Sequence, residues 1–110
     1  MRFLKSFNYA WQGIKYSFQT QPNFKTHVLG FLFMNISAYH FGFERWEYIT
    51  CILASTFVFF AELVNTAIES TVDLVTKEHH PLAKVAKDCA AGAVLVASIC
   101  AILVWTIIMY

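Results

Sequence analysis

Apolar and polar positions follow one another along this chain in four ways, and each predicts a different helix. Over residues 2–20, Phe3, Phe7, Ala10, Ile14 and Phe18 recur every three or four positions, with Leu4 and Trp11 on the same side. Arg2, Lys5, Asn8, Gln12, Lys15 and Gln19 fill much of the other side. That period predicts an amphipathic helix. Basic groups opposite an aromatic stripe suit a helix lying on a membrane surface, although a helix on a soluble core carries the same pattern. Pro22, in the polar stretch 19–23, predicts a turn or helix break. The pattern then becomes a nearly unbroken apolar run over 28–43, interrupted by Asn35, Ser37 and His40. It is only just long enough to cross a bilayer, and its polar residues call for helix neighbours. Residues 42–47 predict a short polar hairpin anchored by Trp46. The third pattern spans 48–75, at about 1.5 Å per residue a helix of about 42 Å against a hydrocarbon layer of about 30 Å, so its last turns leave the membrane. Pro81 stops it. The fourth covers 84–110, and its part from Cys89 to Tyr110 carries no charge. Ala93, Ala97 and Ala101 lie four residues apart there, a spacing that lets helix backbones approach closely. The expected fold is an all-α integral membrane protein: a surface helix over 2–20 and membrane helices over 28–43, 48–75 and 84–110, in a single domain of residues 1–110.

Composition supports that class. Of the 110 residues, 58% are apolar and only 14% charged, far from the usual soluble balance, and mean hydropathy is +0.54. A net charge of +1 gives no sign of nucleic-acid binding. Cys51, Cys89 and Cys100 are odd in number and show no C-x-x-C spacing, so they read as small buried apolar residues. No apolar core precedes a small-residue cleavage site near the start, so no cleavable leader is expected. Charge also predicts topology. Arg2, Lys5, Lys15 and Lys25 precede the first span, Arg45 sits in the hairpin, and Lys77, Lys84 and Lys87 lie between the second and third spans. The positive-inside rule then puts the N-terminus and the 76–88 segment in the cytoplasm.

Against this apolar background one acidic stripe stands out. Glu62, Asn65, Glu69 and Asp73 fall within a helical sector of roughly 80°. Carboxylates at membrane depth are costly and usually functional. Glu62 suits a general base for a lipid hydroxyl, or equally a structural carboxylate bonded to a neighbouring helix. Glu69 and Asp73, one turn apart, could face a hard cation together with nucleotide phosphates, although a solvated helix end is the commoner origin of such a pair. Lys87 and Asp88 open the last helix on the same membrane face, where Lys87 could offset phosphate charge or simply snorkel. Glu78, His79 and His80 could meet a nucleotide; two adjacent His residues alone are a weak metal signal. The chain has no Walker-type loop and no protein-kinase motif set.

The acidic motif from Glu62 to Asp73, followed by Glu78-His79-His80, by Ala86-Lys87-Asp88 and by the small-residue run 90–94, resembles the prokaryotic diacylglycerol kinase family, which includes the undecaprenol kinases. The resemblance runs from Arg2 through the last helix. It implies a homotrimeric kinase of the bacterial inner membrane that uses ATP and Mg²⁺ to phosphorylate a membrane lipid alcohol. By that resemblance Glu62 matches the catalytic base and Glu69 the metal carboxylate. Asn65 and Asp73 match residues of the same site, and Lys87, Asp88 and the 78–80 stretch the nucleotide-binding part. Arg2, Tyr9 and Trp11 match the surface helix where it nears nucleotide and lipid. One position departs: the second metal carboxylate of the best-known diacylglycerol kinases falls at Gln21, whose neutral amide coordinates a cation without neutralising it. Residues 23–27 and 80–95 look more like the undecaprenol kinase branch. The rival readings are a small oligomeric transporter or proton-coupled channel, and a non-catalytic anchor. A transporter needs a polar route across the membrane, whereas these charges gather at one face.

Overall fold

The computed structural model describes residues 2–110 as four helices and their connections: α1 (Arg2–Thr20), α2 (Pro22–His40), α3 (Arg45–Val75) and α4 (Pro81–Met109). Each boundary has a local cause. A residue before proline is pushed out of the α region, and Gln21 is extended at φ −107°, ψ 107°. Pro22 then opens α2 at a position where no backbone N–H is needed. His80 and Pro81 repeat the device at α4, where His80 Nδ1 also accepts the Leu82 N–H at 3.1 Å. At the far end of α2, Gly42 takes φ 67°, and Phe43 and Gly42 donate back to the carbonyls of Ala38 and Tyr39 at 3.0 and 3.3 Å. This is a Schellman-type stop, which needs a left-handed residue. Glu44 and Glu47 form a reciprocal capping box that starts α3.

These caps move several expected limits. α2 starts six residues before the apolar run at Val28, because a first-turn proline begins a helix as readily as it breaks one. It ends at His40 because Gly42 turns the chain. α3 begins at Arg45, so the expected polar hairpin contracts to the residues around Gly42. α3 and α4, of 31 and 29 residues, are each long and apolar enough to cross a membrane; α2 falls below that mark because of its polar positions.

The core is a seam between α3 and α4, with α2 packed on α3 and α1 touching α2 and α3. Cys51, Val58 and Ala61 of α3 meet Val94, Ala97 and Ala101 of α4, and Met34 of α2 joins them. Small residues let these helices approach closely. α1 is tied in near its end by buried Ser17 and by Phe18, whose ring packs edge-on against Phe24 of α2. The molecule is flat, 50 × 41 × 19 Å, and its polarity is inverted. Ser17, Ser37, Ser55, Glu62, Asn65 and Thr66 are buried, while Leu29, Phe33, Leu53, Phe57, Leu95 and Ile107 face outward. An exterior this apolar suits lipid or further subunits and not water. The apolar stripe of α1 is likewise uncovered: Phe3, Leu4, Phe7 and Trp11 are all exposed.

Candidate active site

The acidic stripe of α3 runs from the buried part of the molecule to its polar end, and the structure gives each of its members a different partner. Glu62 is 2% exposed. Its Oε1 lies 2.8 Å from Nδ1 of His27 on α2. The approach falls off the ring N–H axis, so it is a close polar contact without an aligned hydrogen bond. The other ring nitrogen of His27, Nε2, lies 3.1 Å from Ser98 Oγ on α4. Three helices therefore converge on the Glu62 carboxylate through one imidazole. A carboxylate so far from water is tolerated only with polar partners.

Seven residues further on, about 10 Å along the axis, Glu69 is half-buried and bracketed by amides. Gln21 Nε2 donates to its Oε2 at 3.0 Å, and Asn65 Nδ2 to its Oε1 at 3.3 Å. Asn65 Oδ1 is buried with no donor among the described residues. This set fits a hard cation. Glu69 supplies charge, and the amide oxygens of Asn65 and Gln21, which a rotation of each amide would present, supply neutral oxygens. No group of three or more His, Cys, Asp or Glu side chains among the described residues is placed to hold a metal ion, so the fit rests on one carboxylate with amides and phosphates. Glu69 is the stripe's meeting point with Gln21. It does not pair with Asp73, which turns instead to Lys87 at 2.6 Å.

That Asp73–Lys87 contact joins the stripe to the start of α4. Lys84 holds Asp88 at 2.6 Å in the turn beside it. Thr76, Glu78, His79, His80, Lys84, Lys87 and Asp88 line a polar recess of about 390 Å³. The structure thus gathers the 78–80 stretch with Lys87 and Asp88 around one recess. Both ion pairs are exposed, and water and salt screen such pairs strongly, so they hold their partners only weakly. Arg2, Tyr9 and Trp11 stand apart on α1, exposed, with no side-chain bond to the carboxylate cluster among the described residues.

Two residues of the site were not singled out by sequence. Ser98 carried no motif, and His27 stood only at the end of the 23–27 stretch likened to the undecaprenol kinase branch, with no role of its own. The usable signal was the cost of an ionisable group at membrane depth, which asks for a partner on a neighbouring helix and applied to Glu62 from the start. Both also border an apolar cavity of about 480 Å³ lined by Gly30, Phe31, Met34, Val58 and Trp105.

Comparison with known proteins bears on what this arrangement does. The family model for prokaryotic diacylglycerol kinase matches residues 8–109. A diacylglycerol kinase of Synechocystis is 47% identical over 102 residues, covering 92% of this chain and 58% of that protein. An undecaprenol kinase of Bacillus subtilis is 45% identical over 95 residues, covering 86% and 77% of the two chains. A diacylglycerol kinase of Escherichia coli is 28% identical over 109 residues, covering 99% and 89%. The chain therefore spans little more than half the length of its Synechocystis relative and most of the other two.

Proposed function

This chain belongs to the prokaryotic diacylglycerol kinase family, and from that premise we propose that it transfers the γ-phosphoryl group of ATP to the hydroxyl of a membrane lipid alcohol. The observation that carries the reading is the graded stripe of α3. Its buried carboxylate, its half-buried carboxylate with amides, and its exposed carboxylate with a lysine follow one another in order from lipid depth to the polar recess.

Each part has a role. Glu62 accepts the hydroxyl proton as the lipid oxygen attacks the γ-phosphorus and the bond to the ADP oxygen breaks. Its burial suits a hydroxyl presented from within the bilayer. Glu69, with the oxygens of Asn65 and Gln21, would hold Mg²⁺, which when bound supplies positive charge against the ATP phosphates. Lys87 leaves Asp73 and places its ammonium against phosphate charge. The recess formed by residues 76–80 with Lys84, Lys87 and Asp88 receives the nucleotide. Asp88 and the 78–80 stretch orient it there. α1 lies on the inner face of the bacterial cytoplasmic membrane, with Phe3, Leu4 and Phe7 sunk in lipid and Arg2, Tyr9 and Trp11 at the headgroup level. α2, α3 and α4 cross the bilayer as one membrane kinase domain, with the N-terminus in the cytoplasm and three copies forming the enzyme. The transporter and anchor readings find no support in the family.

The names of two relatives differ in the lipid: diacylglycerol for the Synechocystis protein and undecaprenol for the Bacillus one. Residues 23–27 and 80–95 favour undecaprenol by their likeness to that branch. Purified protein in mixed micelles, given labelled ATP with each alcohol in turn, is expected to label undecaprenol faster. Labelling of neither alcohol would overturn the kinase reading; faster labelling of diacylglycerol would reverse the choice of lipid.

A further inference from the structure

We infer that His27 is the positioning residue of Glu62 and that Ser98 sets the orientation of His27, a chain of three side chains running from α3 through α2 to α4. The inference rests on reading Glu62 as the base that receives the substrate proton. Three observations carry it. Glu62 is almost fully buried, and no Lys or Arg reaches its carboxylate among the described residues. Its close side-chain neighbour is His27 Nδ1, 2.8 Å from Oε1, which leaves Oε2 for a hydroxyl. The ring in turn has its second nitrogen 3.1 Å from Ser98 Oγ, and that hydroxyl donates to the Val94 carbonyl at 2.8 Å.

The hydroxyl has a single hydrogen, and that fixes the logic of the chain. Directed at Nε2, it leaves the imidazole with its own proton on Nδ1, facing Glu62 as a donor. Directed at the Val94 carbonyl, it leaves Oγ to accept from Nε2–H, and Nδ1 can then face Oε1 only with a further proton between them. In either direction the Ser98 contact holds the ring so that Nδ1 faces the Glu62 carboxylate, and the direction of the hydroxyl decides how many protons the imidazole–carboxylate pair carries. A carboxylate held by one oxygen keeps its other oxygen aimed, which an unsupported Glu side chain with three torsions does not. The off-axis approach of Nδ1 to Oε1 matches what such contacts show before substrate is bound, when alignment is still incomplete.

The test is steady-state kinetics of four variants in mixed micelles. His27→Ala should lower kcat by about 10²-fold and leave KM for ATP within about twofold, because misaiming the base removes transition-state stabilisation without touching the nucleotide. His27→Gln can donate an amide hydrogen to Glu62, and should recover about tenfold of that loss. Ser98→Ala should lower kcat by about three- to tenfold, and should add nothing in the His27→Ala background, since the two act in series. Wild-type kcat in His27→Ala overturns the proposal. So does a loss in which KM for ATP rises in step and His27→Gln restores nothing, the pattern of a residue that only holds the fold. If His27→Ala does not assemble, unchanged kcat in both His27→Gln and Ser98→Ala overturns it equally. Failure of the underlying reading looks different: Glu62→Gln would then retain turnover, whatever His27 does.

Discussion

At the scale of single residues, the stripe of α3 divides by burial. Glu62 has lost its water, Glu69 keeps part of it, and Asp73 is solvated. A base must be able to take a proton, so Glu62→Gln, nearly the same in shape, should reduce lipid phosphorylation by at least about 10³-fold while the purified assembly elutes unchanged. Gln21 offers the opposite experiment. Its amide already touches Glu69 at 3.0 Å, so Gln21→Glu would set a second carboxylate beside the first. In a Mg²⁺ titration of the rate, that variant should reach half-maximal activity at about tenfold lower free metal; without the metal the two like charges should destabilise the fold. The acidic stripe was legible in the sequence because helical geometry alone puts residues 62, 65, 69 and 73 on one side. Its partners were not. His27 and Ser98 lie 35 and 36 residues from Glu62 in the chain and become its neighbours only when three helices pack. The Asp73–Lys87 contact depends likewise on how α4 folds back along α3.

Among the elements, helix existence followed from periodicity, and helix limits followed from caps. Proline at position 22 was read as a break, and it is one for α1; for α2 it is the first residue. The same chemistry, a fixed φ and a missing N–H, serves both, and an apolar count that starts at Val28 cannot see it. The alanines of α4 were more transparent. Ala97 and Ala101 are buried in the α3–α4 seam, while Ala93 only flanks it. Ala97, 1% exposed, has no room for a larger side chain. Ala97→Leu should force the two helices apart and cost about 1–3 kcal/mol, read as a lower midpoint of thermal unfolding in detergent; Val96→Leu, on the outward face of the same helix, should leave the midpoint within error.

On the scale of the whole molecule, the outward apolar surface and the buried polar residues were implied by composition, but the flatness of the chain was not. A slab 19 Å thick has too little interior to enclose both a nucleotide and a lipid, and its outward faces are apolar. If three copies form the enzyme, as proposed, light scattering of the detergent-solubilised protein should give the protein mass of three chains; a monomer mass with full activity would rule out a required assembly. The joint between surface and interior helices has a mechanical meaning as well. Gln21 is at once the only residue between α1 and α2 and the amide that restrains Glu69. Any rotation of α1 about that joint would shift the amide relative to the carboxylate. The seating of α1 and the surroundings of the Glu69 carboxylate are thus set by one and the same residue.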